Sequence, residues 1–218
     1  LPNDNTQSLV ADLADHHPPG LFNPWRERCE QDLHPDAPQQ RRIRYLDHLN
    51  IHNPRFLLVG EAAGYQGCRY SGIPFTSERQ LLAGEIPRQP PAPRRLTSRP
   101  RPWSEPSATI VWRTLKSLGI EHQTILWNAV PWHPHKPGDP WTNRTPTEKE
   151  RAAGMAFLER VVHLFPQATL IAVGRKAESS LKNLGLRAIT VRHPANGGAT
   201  RFAVQLAAAA TVRKCLAQ

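Results

Sequence analysis

Phe56-Leu57-Leu58-Val59-Gly60-Glu61-Ala62-Ala63-Gly64 passes from unbroken apolar residues to glycine and a carboxylate within a few positions. A near-continuous apolar run of this length, ended by glycine, predicts a strand buried on both faces of a parallel sheet. Three further runs share the pattern: Thr124–Asn128 (TILWN), Thr169–Gly174 (TLIAVG) and Ala188–Arg192 (AITVR). Helical patterns lie between and around them. Arg41–Asn50 places Ile43, Leu46 and Leu49 on one face, and Ser104 is a candidate N-cap for a helix carrying Val111, Leu115 and Leu118 up to Gly119. Thr147 and Glu150 form a capping box ahead of Met155, Leu158, Val162 and Phe165, a shorter helix spans Arg175–Gly185, and an Ala-rich one follows Gly198 to the C-terminus. Strands alternating with helices predict an α/β fold with a parallel sheet, whose ligand sits beyond the carboxyl ends of the strands. The polar, glycine-rich segments Glu61–Gly72, Asn128–His135 and His193–Gly198 fall there.

Composition narrows the partners. The 218 residues fit one domain, taken as 1–218, and Lys plus Arg total 28 against 18 Asp plus Glu, a formal charge of +10. Such an excess attracts polyanions. No stretch approaches the length of an apolar membrane span and no charged-then-apolar leader opens the chain, so the expectation is a cytoplasmic protein with no membrane partner. Cys29, Cys68 and Cys215 are too scattered for a disulfide scaffold or a metal cluster, which suggests a reducing compartment. Ile86–Trp103 (IPRQPPAPRRLTSRPRPW) mixes proline with Arg88, Arg94, Arg95, Arg99 and Arg101. It reads either as a solvated loop or as a proline-stiffened cationic arm near a phosphate backbone.

Each loop suits a particular chemistry. Glycines directly after a buried strand let backbone N–H groups approach a ligand, and Phe75, following the turn Gly72-Ile73-Pro74, can offer its ring to a flat one. Asn128 ends its strand with a carboxamide able to pair with the amide edge of a pyrimidine, although asparagine there also serves as a turn former. His193 lies just beyond a strand and before a helix, where an imidazole can stabilise developing negative charge. His133 and His135 flank Pro134, but no further ligand has metal-site spacing, so loop packing is the expected role and no metal is expected.

Together these motifs resemble the uracil-DNA glycosylase superfamily. GEAAGYQGCRYSGIPF is similar to its water-activating motif with a downstream stacking Phe, NAVPWHP to its strand-end Asn motif, and HPANGG to the His-Pro loop that enters the minor groove. NRTPTEKE resembles the helix start of the bacterial iron–sulfur branch, whose four cysteines this chain lacks. The resemblance covers most of the chain from about Arg41. It implies a three-layer α/β/α sandwich with a central four-stranded parallel sheet, and a glycosylase that flips uracil out of DNA and leaves an abasic site. By position it implies His193 as catalytic, and Gly60, Ala62, Tyr65, Phe75 and Asn128 as uracil-binding; Glu61 is the candidate second catalytic residue, its alternative a structural role hydrogen-bonded to backbone. It implies Arg192, Pro194, Ala195, Asn196 and Gly197 as DNA-binding, with no cofactor. The partner would be uracil-containing DNA, single- or double-stranded, bound by a monomer.

Departures from the best-known branch are visible. Ala62 stands where that branch has a water-positioning Asp, leaving Glu61 as the nearest carboxylate; Gly64 stands where it has a methyl-excluding Tyr, and Tyr65 beside it either narrows the pocket or packs under the loop. No large apolar wedge occurs in Ala195-Asn196-Gly197. No lysine in the three loops is placed for a Schiff base, so no strand cleavage is expected. The segment Lys136–Thr147 contains no His of the kind that traps DNA covalently in a related branch. The alternatives are a uracil-DNA binding protein with little or no turnover and an α/β enzyme acting on a small nucleotide.

Overall fold

The computed structural model describes residues 4–17, 19–91 and 93–211. In chain order these form α1 (Asp4–Asp15), β1 (Leu21–Phe22), α2 (Ala37–Leu49), β2 (Phe56–Ala62), α3 (Cys68–Ser71), α4 (Glu78–Leu82) and α5 (Pro106–Ser117). There follow β3 (Thr124–Val130), β4 (His133–Pro134), α6 (Glu148–Leu164), β5 (Thr169–Val173), α7 (Arg175–Asn183), β6 (Ile189–Val191) and α8 (Ala199–Thr211). Cys215 and the end of the Ala-rich C-terminal segment lie outside the described residues.

The four apolar runs build one parallel sheet in the order β3-β2-β5-β6. Successive side chains of a strand point to opposite faces. Phe56 through Val59 and Ile125 through Trp127 are all fully buried, so both faces of the sheet are covered. Helices α6, α7 and α8 lie against β3, β5 and β6 respectively, giving the α/β/α layering. A separate antiparallel pair, β1 with β4, and helix α1 with its buried Leu9, Val10 and Leu13 carry no counterpart in the sequence reading.

Helix starts follow local chemistry. The Thr147 hydroxyl accepts from the Glu150 N–H, and the Glu150 carboxylate accepts from the Thr147 N–H at 2.7 Å, the reciprocal capping box. The same carboxylate receives both terminal nitrogens of Arg144 at 2.6 and 2.7 Å, which fixes the loop ahead of α6. Helix α5 starts one residue later than its serine signal suggests: Glu105, not Ser104, is the N-cap. Pro106 explains the shift, because its locked φ and missing N–H suit the first helical position.

The inward face of α2 differs from its apolar pattern. Ile43 is exposed, while Arg41, Arg44, Tyr45 and His48 are buried. Arg41 and His48 turn inward onto partners, whereas the Tyr45 hydroxyl is buried without one. The Arg41 guanidinium, fully buried, donates to both Asp32 oxygens at 2.8 and 3.0 Å and to the carbonyls of Pro24 and Glu27. His48 Nε2 accepts the Leu126 N–H at 2.9 Å, so this imidazole is held neutral, and burial keeps its pKa well below the ordinary value.

The Ile86–Trp103 segment is strapped to the body instead of extending as an arm. Arg88 donates to the carbonyls of His48, His122 and Thr124, and Arg94 pairs with Asp36. The buried Glu78 carboxylate accepts from the N–H groups of Leu96 and Thr97 and from the Thr97 hydroxyl at 2.6 Å. Three of the five arginines thus meet internal partners, since Arg95 reaches the Arg99 carbonyl; Arg99 lies over the Trp103 ring at 4.4 Å. Each internal hydrogen bond to a guanidinium uses a donor that a phosphate would need.

Candidate active site

The register of the sheet assembles the site. Gly60 and Asn128 are cross-strand partners at the carboxyl ends of β2 and β3. A Cβ on Gly60 would lie 2.5 Å from Phe75 Cζ and 2.8 Å from Asn128 Oδ1, so the missing side chain is what allows the ring and the carboxamide to close on the strand end. Phe75 is held with φ of 49°, a left-handed conformation uncommon outside glycine. Strain of this kind persists where surrounding structure over-determines it, often at functional sites. Here the preceding turn is stitched by Ser71, whose hydroxyl accepts the Ile73 N–H, and by the Thr76 hydroxyl donating to the Pro74 carbonyl.

Phe75, Asn128 and His193 border one hollow of about 250 Å³, together with Glu61, Ala62 and Gly64. No described residue hydrogen-bonds the Asn128 carboxamide, which is itself only 3 % exposed. His193 Nδ1 accepts the Ala195 N–H at 3.1 Å. Its proton therefore resides on Nε2, which is left as a donor. Burial, with the neighbouring charge of Arg192, lowers the His193 pKa and favours this neutral form. Glu61 lines both the hollow and an adjoining groove of about 560 Å³ that carries Arg175, Lys176 and Arg192. Its Oε1 is buried without a hydrogen-bond partner; burial raises its pKa, opposed by the positive charges of Lys176 and Arg151.

The remaining positions divide. Ala195 lines the hollow, and Pro194, Ala195, Asn196 and Gly197 line a third depression beside it. Asn196 and Gly197 are exposed, both with positive φ, at the tip of the turn, and Arg192 is exposed beside them. Tyr65 stands apart. Its ring meets the edge of Trp103 at 5.9 Å and its hydroxyl accepts from Gln66, so it is not among the residues bordering the hollow. Its backbone N–H donates to Asn143 Oδ1, which ties Asn143, on the wall of the hollow, to the first loop. His133 is taken by packing bonds, with Arg69 at Nδ1 and the Thr142 carbonyl at Nε2, both 2.9 Å; burial pushes its pKa down to about 3. Among the described residues no group of three or more His, Cys, Asp or Glu is arranged to hold a metal ion.

Six lining residues carried no site role in the sequence: Ala63 and Pro134, inside two of the loop motifs, and Glu105, Ser107, Asn143 and Arg144. The Asn143-Arg144 pair had a signal in NRTPTEKE, read there only as a helix start. Glu105 had none. Its carboxyl reaches inward beneath Gly64 and Gly67, where burial pushes its pKa up to about 7.

A strand-end carboxamide, an aromatic ring and a neutral imidazole donor thus border one hollow at the carboxyl end of the four-stranded parallel sheet of an α/β protein. The family model described as the Uracil DNA glycosylase superfamily matches residues 46–212, and the chain belongs to that superfamily. Among solved structures, the crystal structure of wild-type SMUG2 from Pedobacter heparinus is similar in fold, with a TM-score of 0.64 at 18 % identity. The alignment covers 94 % of this chain and 96 % of that one. No curated protein matches the sequence.

Proposed function

We propose that this chain is a monofunctional glycosylase that hydrolyses the N-glycosidic bond of deoxyuridine in DNA, releasing uracil and leaving an abasic site. One arrangement carries the reading: the unengaged Asn128 carboxamide, the Phe75 ring and the His193 Nε2–H share a single hollow. Family membership supports it.

The chemistry follows from these groups. The target base leaves the stack at a cost of a few kcal/mol, and stacking on Phe75 returns about 1–3 kcal/mol. Asn128 pairs with the amide edge of the base. His193 donates from Nε2 to a base carbonyl as negative charge grows there during bond cleavage. Glu61 holds the attacking water and offsets positive charge on the sugar, its unpartnered Oε1 being the acceptor.

The direct test is incubation with uracil-containing oligonucleotides followed by alkali. Strand scission at the former uracil is the expected result, and intact strands with retained binding would overturn catalysis. Ala62 on the wall of the hollow, where a carboxylate would hold water in the best-known branch, favours a second reading as a uracil-DNA binding protein with little turnover. The same assay separates the two.

A further inference from the structure

Glu105 is placed unlike any other carboxylate in the described residues. It is the N-cap of α5, yet its side chain makes no cap bond to its own helix. It extends instead beneath the loop after β2. A Cβ on Gly67 would fall 1.8 Å from Glu105 Oε2, and one on Gly64 would fall 3.3 Å from the same atom. The two glycines leave the volume that the carboxyl fills. It borders both the hollow holding Phe75, Asn128 and His193 and the neighbouring depression under Pro194 to Gly197. No described residue donates a hydrogen bond to it or pairs with it.

We propose that Glu105 is a specificity-determining residue of the hollow, whose carboxyl closes the wall at Gly64 and, in its neutral form, donates a hydrogen bond to a carbonyl oxygen of the bound base. This rests on the glycosylase reading above. An ionised carboxylate has no proton to donate and repels a base leaving as an anion, whereas the acid does neither. The groups facing Glu105 favour the acid. From the end of β2 comes Glu61, from the start of α3 the buried thiol of Cys68, from the loop before α6 Arg144, and from the loop after β6 the neutral His193. Arg144 is the one cation of this set, and its charge is already matched by Glu150. Glu105 is half-buried, and the partial desolvation of its carboxyl under the loop, with no free counter-charge, pushes its pKa up to about 7.

Two consequences are separable. Ionisation of Glu105 above neutrality removes the donor, so the rate falls on the alkaline side. Removing its volume opens the wall beside Gly64, so bases with an added methyl or a larger ring enter. The experiment measures single-turnover release of uracil, thymine and hypoxanthine from matched oligonucleotides by wild type, Glu105→Gln and Glu105→Ala, from roughly pH 5.5 to 8.5. Thermal melting verifies that each variant folds. Expected for wild type is an alkaline decline approaching about 10-fold per pH unit, absent in Glu105→Gln, whose amide donates at every pH. Glu105→Ala should raise release of thymine or hypoxanthine relative to uracil by about 10-fold or more. Binding of the three free bases, measured calorimetrically over the same pH range, reads both effects without turnover. If wild type releases no base, the glycosylase reading fails, while the free-base binding still decides Glu105. An unchanged alkaline limb in Glu105→Gln, or an unchanged base ratio in Glu105→Ala, overturns the proposal.

Discussion

The His193 imidazole stands 6.2 Å from the Phe75 ring, centroid to centroid, and is tilted 42° to it. The two rings come from loops more than a hundred residues apart, and Asn128 joins them on the wall of the same hollow. In the proposed function a flat base would rest on Phe75 with the imidazole donor at its edge.

His193→Ala removes that donor. Single-turnover uracil release should fall about 10²–10³-fold, the usual cost of losing one such group. The acid limb has a definite sign. Burial lowers the His193 pKa, so the neutral, Nε2-protonated form survives to more acidic pH than a free imidazole with its ordinary value of 6.5. Activity should hold through pH 6.5 and decline only below it. A limb centred above 6.5 that vanishes in the variant would contradict this.

Glu61→Gln tests the water. The amide keeps the shape and loses the charge, and release should drop about 10²-fold. A wild-type rate in this variant would assign the water to His193 or to the backbone.

Gly60→Ala places a methyl 2.5 Å from Phe75 and 2.8 Å from Asn128. The ring and the carboxamide must separate, and displacement by about 1 Å in such a site costs about 10²-fold in rate. Release should fall while the far-ultraviolet circular dichroism stays that of wild type.

Asp32→Ala strips the fully buried Arg41 of its carboxylate. An uncompensated buried guanidinium costs about 3–5 kcal/mol, read as a lower denaturant midpoint at unchanged slope. Substituting exposed Arg101 should leave that midpoint in place.

Lys176 and Arg192 flank the groove beside the hollow. If the DNA backbone runs there, the double variant Lys176→Ala, Arg192→Ala should weaken oligonucleotide binding. It should also flatten the dependence of log affinity on log salt by roughly one unit for each lost contact. An unchanged salt slope would move the backbone to another face.

Strands that are buried on both faces announce themselves as apolar runs, which is why all four were readable, along with the capping box at Thr147. In helix α2 the apolar pattern holds at Leu46 and Leu49 but not at exposed Ile43, and it does not reveal that Arg41 and His48 are buried, because their partners, Asp32 and the Leu126 N–H, lie elsewhere in the chain. The arginines of Ile86–Trp103 looked free for the same reason. Tyr65 follows the glycine of the first loop, yet its ring settles on Trp103, a contact no local pattern encodes.

The four strands and the three loops at their carboxyl ends belong to the sequence, since periodicity and glycine placement act over a few neighbouring residues, whereas the order β3-β2-β5-β6 belongs to the tertiary structure. Tertiary structure alone decided that Glu105 lies under Gly64 and Gly67, that Asn143 reaches the site, and that the His193 proton sits on Nε2. Those outcomes depend on burial and on hydrogen bonds between segments distant in the chain, which exist only once the sheet has brought the loops together.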